Sequence, residues 1–156
     1  MSSRPLIRAM MGAARSEEDT VMTRKTYHGS CHCRAVTFEV DLDLSHGTGR
    51  CNCTYCRKVR EWGAMVKPEQ FRLSGAENLT RYPADPARPN ASYFCRICGI
   101  RTHGAGDIPE LGGPYVGVQI PALDDATPEE IIAAPVRWMD GLNDDWFNLP
   151  AETRHL

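Results

Sequence analysis

Alternation of apolar and polar residues is the strongest regular signal along the chain. Residues 35–42 (AVTFEVDL) alternate with period two, strictly from Val36 onward, and are rich in β-branched side chains, the signature of a half-buried β-strand. Shorter strands are predicted at 63–67, 70–73, 79–82, 115–120 and 136–139, with Pro68 splitting the first two. Helical signals are scarce. Residues 54–60 predict one helical turn capped by Thr54. Thr127, Pro128 and Glu130 predict a capping box that opens a short helix ended by Pro135. Residues 46–49 read as a turn, and 83–90, with Pro83, Pro86 and Pro89, as an exposed loop. The first of these turns predicts a hairpin over 31–51. Trp146 and Phe147 are expected to close the sheet as core. The pattern as a whole predicts a mainly β domain with little helix over 25–156, preceded by a disordered tail at 1–24.

Composition narrows the class. The 156 residues carry a formal charge of −2, with 24% charged residues. That lacks the basic excess used to bind nucleic acid or a membrane surface, so neither partner is expected. No apolar run approaches the ~18 residues that a membrane span needs. Seven cysteines, an odd number, change the picture. They fall as Cys31-x-Cys33, Cys51-x-Cys53-x-x-Cys56 and Cys95-x-x-Cys98, spacings that suit metal knuckles better than bridges between distant elements. No secretory hydrophobic stretch precedes them. A reducing, cytoplasmic compartment is therefore expected, where such clusters hold metal rather than disulfides.

Thiolates clustered this way select a borderline-soft ion such as zinc. Cys31 and Cys33 stand two apart and can reach to one side of an extended strand. Gly99, just after Cys98, suits the positive φ of a knuckle turn. Seven ligands divide as four plus three. A four-cysteine site is closed and structural, whereas a three-cysteine site keeps a position for water or substrate. Two divisions fit the spacing. A zinc-ribbon pairing joins Cys53, Cys56, Cys95 and Cys98. The other joins Cys31, Cys33, Cys95 and Cys98, and leaves Cys51, Cys53 and Cys56 on one loop. His32, His46 or His103 is available to complete a three-cysteine site as a structural one. Arg57, Lys58 and Arg60 follow the second motif and are candidate anion-binding residues.

Gly29-Ser30-Cys31-His32-Cys33-Arg34-Ala35-Val36, then Cys51-Asn52-Cys53-Thr54-Tyr55-Cys56-Arg57-Lys58, then Phe94-Cys95-Arg96-Ile97-Cys98-Gly99 resembles the glutathione-dependent formaldehyde-activating enzyme family. The same domain occurs in centromere protein V. The resemblance implies a β-rich, Mss4-like fold with two zinc ions per chain. It implies a structural zinc on Cys31, Cys33, Cys95 and Cys98, and a catalytic zinc on Cys51, Cys53 and Cys56. The implied activity is of the carbon–sulfur lyase type, the addition of glutathione to formaldehyde to give S-hydroxymethylglutathione. Arg57, Lys58 and Arg60 are then placed to hold the glutathione carboxylates. Residue 34 is arginine where the family often carries glycine. The rival readings are a non-catalytic zinc module, and a zinc carrier or thiol sensor.

Overall fold

The structure, a computed structural model, describes residues 24–156, so all but the last residue of the tail expected at 1–24 lies outside it. The protein is mainly β, in two sheets. The smaller has the order β1 (Lys25–Ser30), β2 (Thr37–Leu42), β5 (Phe71–Ser74), all antiparallel. The larger runs β10 (Val136–Met139), β3 (Thr48–Cys51), β4 (Gly63–Val66), β9 (Gly113–Gln119), β8 (Arg101–Ile108), β7 (Ala91–Cys95), β6 (Leu79–Tyr82). Only the β10–β3 pair in it is parallel. Two short helices complete the regular structure, α1 (Cys56–Val59) and α2 (Pro128–Ala133). No helix among the described residues is long and apolar enough to cross a membrane.

The period-two signal of β2 becomes its burial pattern: Phe38, Val40 and Leu42 are buried, while Thr37 and Glu39 face water. Those three pack with Ala64, Val66, Val116 and Val118 of the larger sheet in one core. Helix α2 starts as its sequence predicts. Thr127 Oγ1 accepts from the Glu130 N–H at 3.2 Å, and the Glu130 carboxylate accepts from the Thr127 N–H at 2.9 Å.

Three expectations are corrected, and one strand is added. Residues 31–51 do not form a hairpin, because both edges of β2 are taken, by β1 and β5, and β3 belongs to the other sheet. Buried Leu44 anchors the crossing between them. Thr54 is not a cap: α1 begins at Cys56 behind Tyr55, with no side-chain cap. Trp146 and Phe147 are not core. They are 43% and 71% exposed, with Phe147 under the Arg137 guanidinium. Strand β8 had no sequence signal, because Gly104 and Gly106 interrupt its pattern.

Arg34 sits at φ 61°, in the left-handed region, where its N–H donates to the Cys31 carbonyl at 3.0 Å to close the first knuckle. A side chain in that region costs about 1–2 kcal/mol, against the roughly 0.5–1 kcal/mol of extra chain entropy that a glycine loses. Arg34→Gly is therefore expected to stabilise the domain by about 0.5–1 kcal/mol, read as a higher urea midpoint at unchanged slope. Unchanged or lower stability would contradict this.

His103 is buried and stacked on Tyr93 at 4.8 Å, with Nδ1 2.9 Å from Thr102 Oγ1. Burial, and then the Arg101 charge, pull its pKa down to about 4. A folded value below the unfolded one means stability present above pH ~6.5 and lost as pH falls towards 4. This group alone is expected to remove about 2 kcal/mol between pH 7.5 and pH 5. His103→Gln should flatten that part of the unfolding-energy profile, and an equal slope in the variant would refute it.

Candidate metal centres

Cys31 follows β1 in the smaller sheet, and Cys95 ends β7 in the larger. Cys33 and Cys98 stand in the turns beyond them. The four sulfurs lie within 4.8 Å of one another. Cys31–Cys33 and Cys33–Cys95 are each 3.6 Å apart, close to the edge, about 3.8 Å, of a tetrahedron with zinc–sulfur bonds of about 2.3 Å. Backbone N–H groups aim at the sulfurs: Val36 at Cys31 (3.3 Å) and Ile97 at Cys95 (3.4 Å). Gly99 takes φ 77° and returns its N–H to the Cys95 carbonyl at 2.8 Å, as its place in the sequence predicts. Cys31 and Cys95 are buried together with Val36 in a small core of their own. This cluster clips the two sheets to each other.

Cys51, Cys53 and Cys56 form the second cluster, again within 4.8 Å. Cys51 is buried at the end of β3, while Cys53 and Cys56 are half-buried. The Cys53 N–H points to the Cys51 sulfur at 3.3 Å, and the Cys56 N–H to the Cys53 sulfur at 3.4 Å. The Cys53 N–H, more than a helix dipole from the single turn of α1, favours thiolate at Cys51. The Cys51 thiol is pulled down to about 6, first by the donating Cys56 thiol and, against its burial, by the Cys53 and Gly141 N–H groups. Cys56 is pushed up because it is that donor and is buried beside two other sulfurs. A bound divalent cation would take the place of that shared proton. All seven cysteines are free thiols.

The structure thus groups the sulfurs as 31/33/95/98 and 51/53/56, not in the ribbon pairing. Among the described residues no histidine joins either group. His32 is exposed, His46 lies 3.7 Å from Asp43, and His103 lines a cavity of about 410 Å³ between the sheets that none of the cysteines touches.

A segment after β10 braces the three-cysteine loop. Asn52 is buried, donates to Asp140 Oδ1 at 2.6 Å and accepts from the Leu142 N–H at 2.9 Å. Gly141 lies so close that a Cβ there would meet Cys51 Sγ at 2.7 Å and the Trp146 ring at 2.7 Å. Gly141→Ala is therefore expected to displace Cys51 and lower metal affinity at this cluster by at least about tenfold. The four-sulfur cluster should be unaffected. Competition with a graded set of chelators measures both.

Of the three cations singled out by sequence, Arg57 and Lys58 are exposed on α1, and Arg60 donates to the His155 carbonyl at 2.7 Å. Sequence reasoning missed Arg101. It enters from the start of β8, pairs with Glu61 and lies 5.8 Å from the centre of the Tyr55 ring. Its electrostatic neighbours are Tyr55, Cys56 and Tyr115. Nothing local in the sequence marks it, since the pairing of β8 with β7 and β9 brings it there.

Residues 26–139 match the family described as glutathione-dependent formaldehyde-activating enzyme. The chain belongs to this family. A Halomonas elongata protein, provisionally assigned as a glutathione-dependent formaldehyde-activating enzyme, is 32% identical over 78 residues, which are 45% of this chain and 50% of that protein. The aligned part thus spans half of that relative's length. The crystal structure of a Rhodobacter sphaeroides protein is also similar, with a TM-score of 0.57 and 33% identity over 70% of this chain and 99% of that one. The fold of this family member is thus shared with a solved structure, and its two cysteine clusters can each hold a metal ion.

Proposed function

We propose that this family member is a zinc-dependent enzyme that joins the thiol of glutathione to formaldehyde and runs the reverse cleavage, a carbon–sulfur lyase type of reaction. The activity is assigned to a single domain over 25–156, working in a reducing compartment such as the cytoplasm, in keeping with seven free thiols. The observation that carries the reading is the unequal division of the sulfurs. One set of four joins the two sheets and is complete in itself. One set of three is half-buried on a loop. The name of the family supports glutathione and formaldehyde as the substrates.

Cys31, Cys33, Cys95 and Cys98 are assigned a structural zinc, and Cys51, Cys53 and Cys56 the reactive one. Zinc, when bound, supplies the charge that keeps its thiol ligands deprotonated and, on three cysteines, a fourth position. The chain's own residues do the rest. Asn52, Asp140 and Gly141 fix the loop that carries Cys51. Arg57 and Lys58, on the exposed side of α1, supply positive charge for the glutathione carboxylates. Arg60, bonded to the C-terminal segment, contributes charge at longer range. In the reaction a bond forms between glutathione sulfur and the formaldehyde carbon, and the thiol proton passes to the carbonyl oxygen.

The test is exchange spectroscopy on equilibrated glutathione and carbon-13 formaldehyde. The protein should speed exchange between free formaldehyde and S-hydroxymethylglutathione in proportion to its zinc content, and Cys53→Ser should not. Exchange no faster than in buffer, with protein carrying two zincs, would remove the assignment.

A further inference from the structure

The two sheets leave a cleft that the metal centres do not use. Strand β5 ends the smaller sheet and β6 ends the larger. Phe71 of β5 packs on His103 of β8, with ring centres 4.8 Å apart, so β7 and β6 run on past the free edge of β5. The space beside that edge is the cavity of about 410 Å³, lined by Phe71, Leu73, Leu79, Arg81, Tyr93 and His103 among others. Its size falls in the range of about 300–1,000 Å³ typical of small-molecule sites. Phe71, Leu73, Leu79, Arg81 and Tyr93 are each partly exposed, so the cavity opens to water.

Its polar groups are few and within reach of that water. Arg81, Tyr93 and His103 stand opposite one another across β6, β7 and β8, and opposed residues share a face. The Arg81 guanidinium carries five N–H donors and spends three. Nη1 donates to the Pro83 and Asp85 carbonyls, and Nη2 to that of Arg88. One N–H on Nε and one on Nη2 remain. No carboxylate pairs with Arg81 among the described residues. No acid lines the cavity, and Asp85 turns its carboxylate to the Ala87 N–H at 2.9 Å. His103 bonds through Nδ1 and has no partner at Nε2. Among the described residues Arg101 Nε is the one side-chain nitrogen or oxygen both buried and unpaired, so Arg81 Nε and His103 Nε2 are accessible.

We propose that this cleft binds a small amphipathic monocarboxylate, an aryl or alkyl carboxylate, with its anionic end on Arg81 and its apolar body across Tyr93 against Phe71, Leu73 and Leu79. One cation beside apolar walls matches one negative charge on an apolar body. A polyanion would find no second arginine or lysine in the lining. The site is separate from the three-cysteine cluster, since no cysteine lines it.

The test is calorimetric titration of the full chain, its metal content counted, with 4-phenylbutyrate and its amide, probes that differ by one charge. The wild type should bind 4-phenylbutyrate saturably, about tenfold to a hundredfold more tightly than the amide. Nuclear Overhauser contacts should run from the probe ring to Tyr93. Arg81→Gln should bring acid and amide within about twofold while retaining both metals, and Arg81→Lys should restore part of the preference. Ala105→Phe, which puts a ring into the cavity, should abolish binding of both. Cys53→Ser should bind as the wild type does. No saturable binding by the wild type, equal binding of acid and amide, or contacts to α1 instead of Tyr93 overturns the proposal. So does a preference that survives in a folded Arg81→Gln protein. If that variant fails to fold, the wild-type comparison and Ala105→Phe still decide. Binding of 4-phenylbutyrate by a protein that does not speed glutathione exchange removes the proposed function and leaves this site standing.

Discussion

Cys95→Ser is expected to unfold the domain. Cys95 is completely buried and ends β7 in the larger sheet, yet its sulfur lies 3.6 Å from that of Cys33, next to the smaller one. Losing it opens the only four-sulfur cluster among the described residues. Structural zinc sites contribute about 10–16 kcal/mol of apparent folding energy in small domains, against a typical net stability of about 5–15 kcal/mol. Forfeiting even half of that leaves little, and the serine hydroxyl would also stand in a pocket shaped for sulfur. Circular dichroism should show lost β structure and a non-cooperative urea response, with elemental analysis showing the metal gone. A cooperative Cys95→Ser protein with full metal content would mean that the cluster does not hold the sheets together.

Cys53→Ser should behave in the opposite way. Cys53 is half-buried on the loop between β3 and α1 and belongs to neither buried core cluster. Its neighbours are the Cys56 N–H, which donates to its sulfur, and the rest of the three-sulfur group. The variant is expected to fold with stability within about 1 kcal/mol of the parent. It should carry one metal instead of two and lose at least about a hundredfold in exchange rate. Unfolding of Cys53→Ser would make the second cluster structural. Full activity in a folded variant would place the chemistry elsewhere.

The contrast between these variants depends on topology that local sequence signals carry only in part. Strand β2 was legible because one face is buried and the other is wet. Helix α2 was legible because Thr127, Pro128 and Glu130 cap it within four residues. Gly99 was legible because a knuckle needs positive φ just there. The cysteine spacings showed that metal clusters exist and could not choose between the two divisions. That choice depends on the ends of β1 and β7, in different sheets, being brought together, while Phe38 and Val40 share one core with Val116 and Val118 of the other sheet. Arg101 was hidden for a related reason. Gly104 and Gly106 erase the alternation of β8: a Cβ on Gly106 would fall on Asn90, and one on Gly104 would crowd the Ala91 carbonyl at 3.1 Å. The reading of 31–51 as a hairpin failed because a turn in sequence does not say which sheet the next strand joins.

The most direct test of the account is to count the metal and its sulfur ligands together. Elemental analysis of protein purified without chelator should give two zinc ions per chain. X-ray absorption at the zinc edge should show seven protein sulfurs shared between them, one ion with four and one with three and a lighter fourth ligand, in keeping with clusters of four and three. Cys53→Ser should leave one ion with four sulfurs. A single zinc per chain, or two ions each with a complete set of protein ligands, would contradict the division into one closed and one open centre on which the proposed chemistry depends.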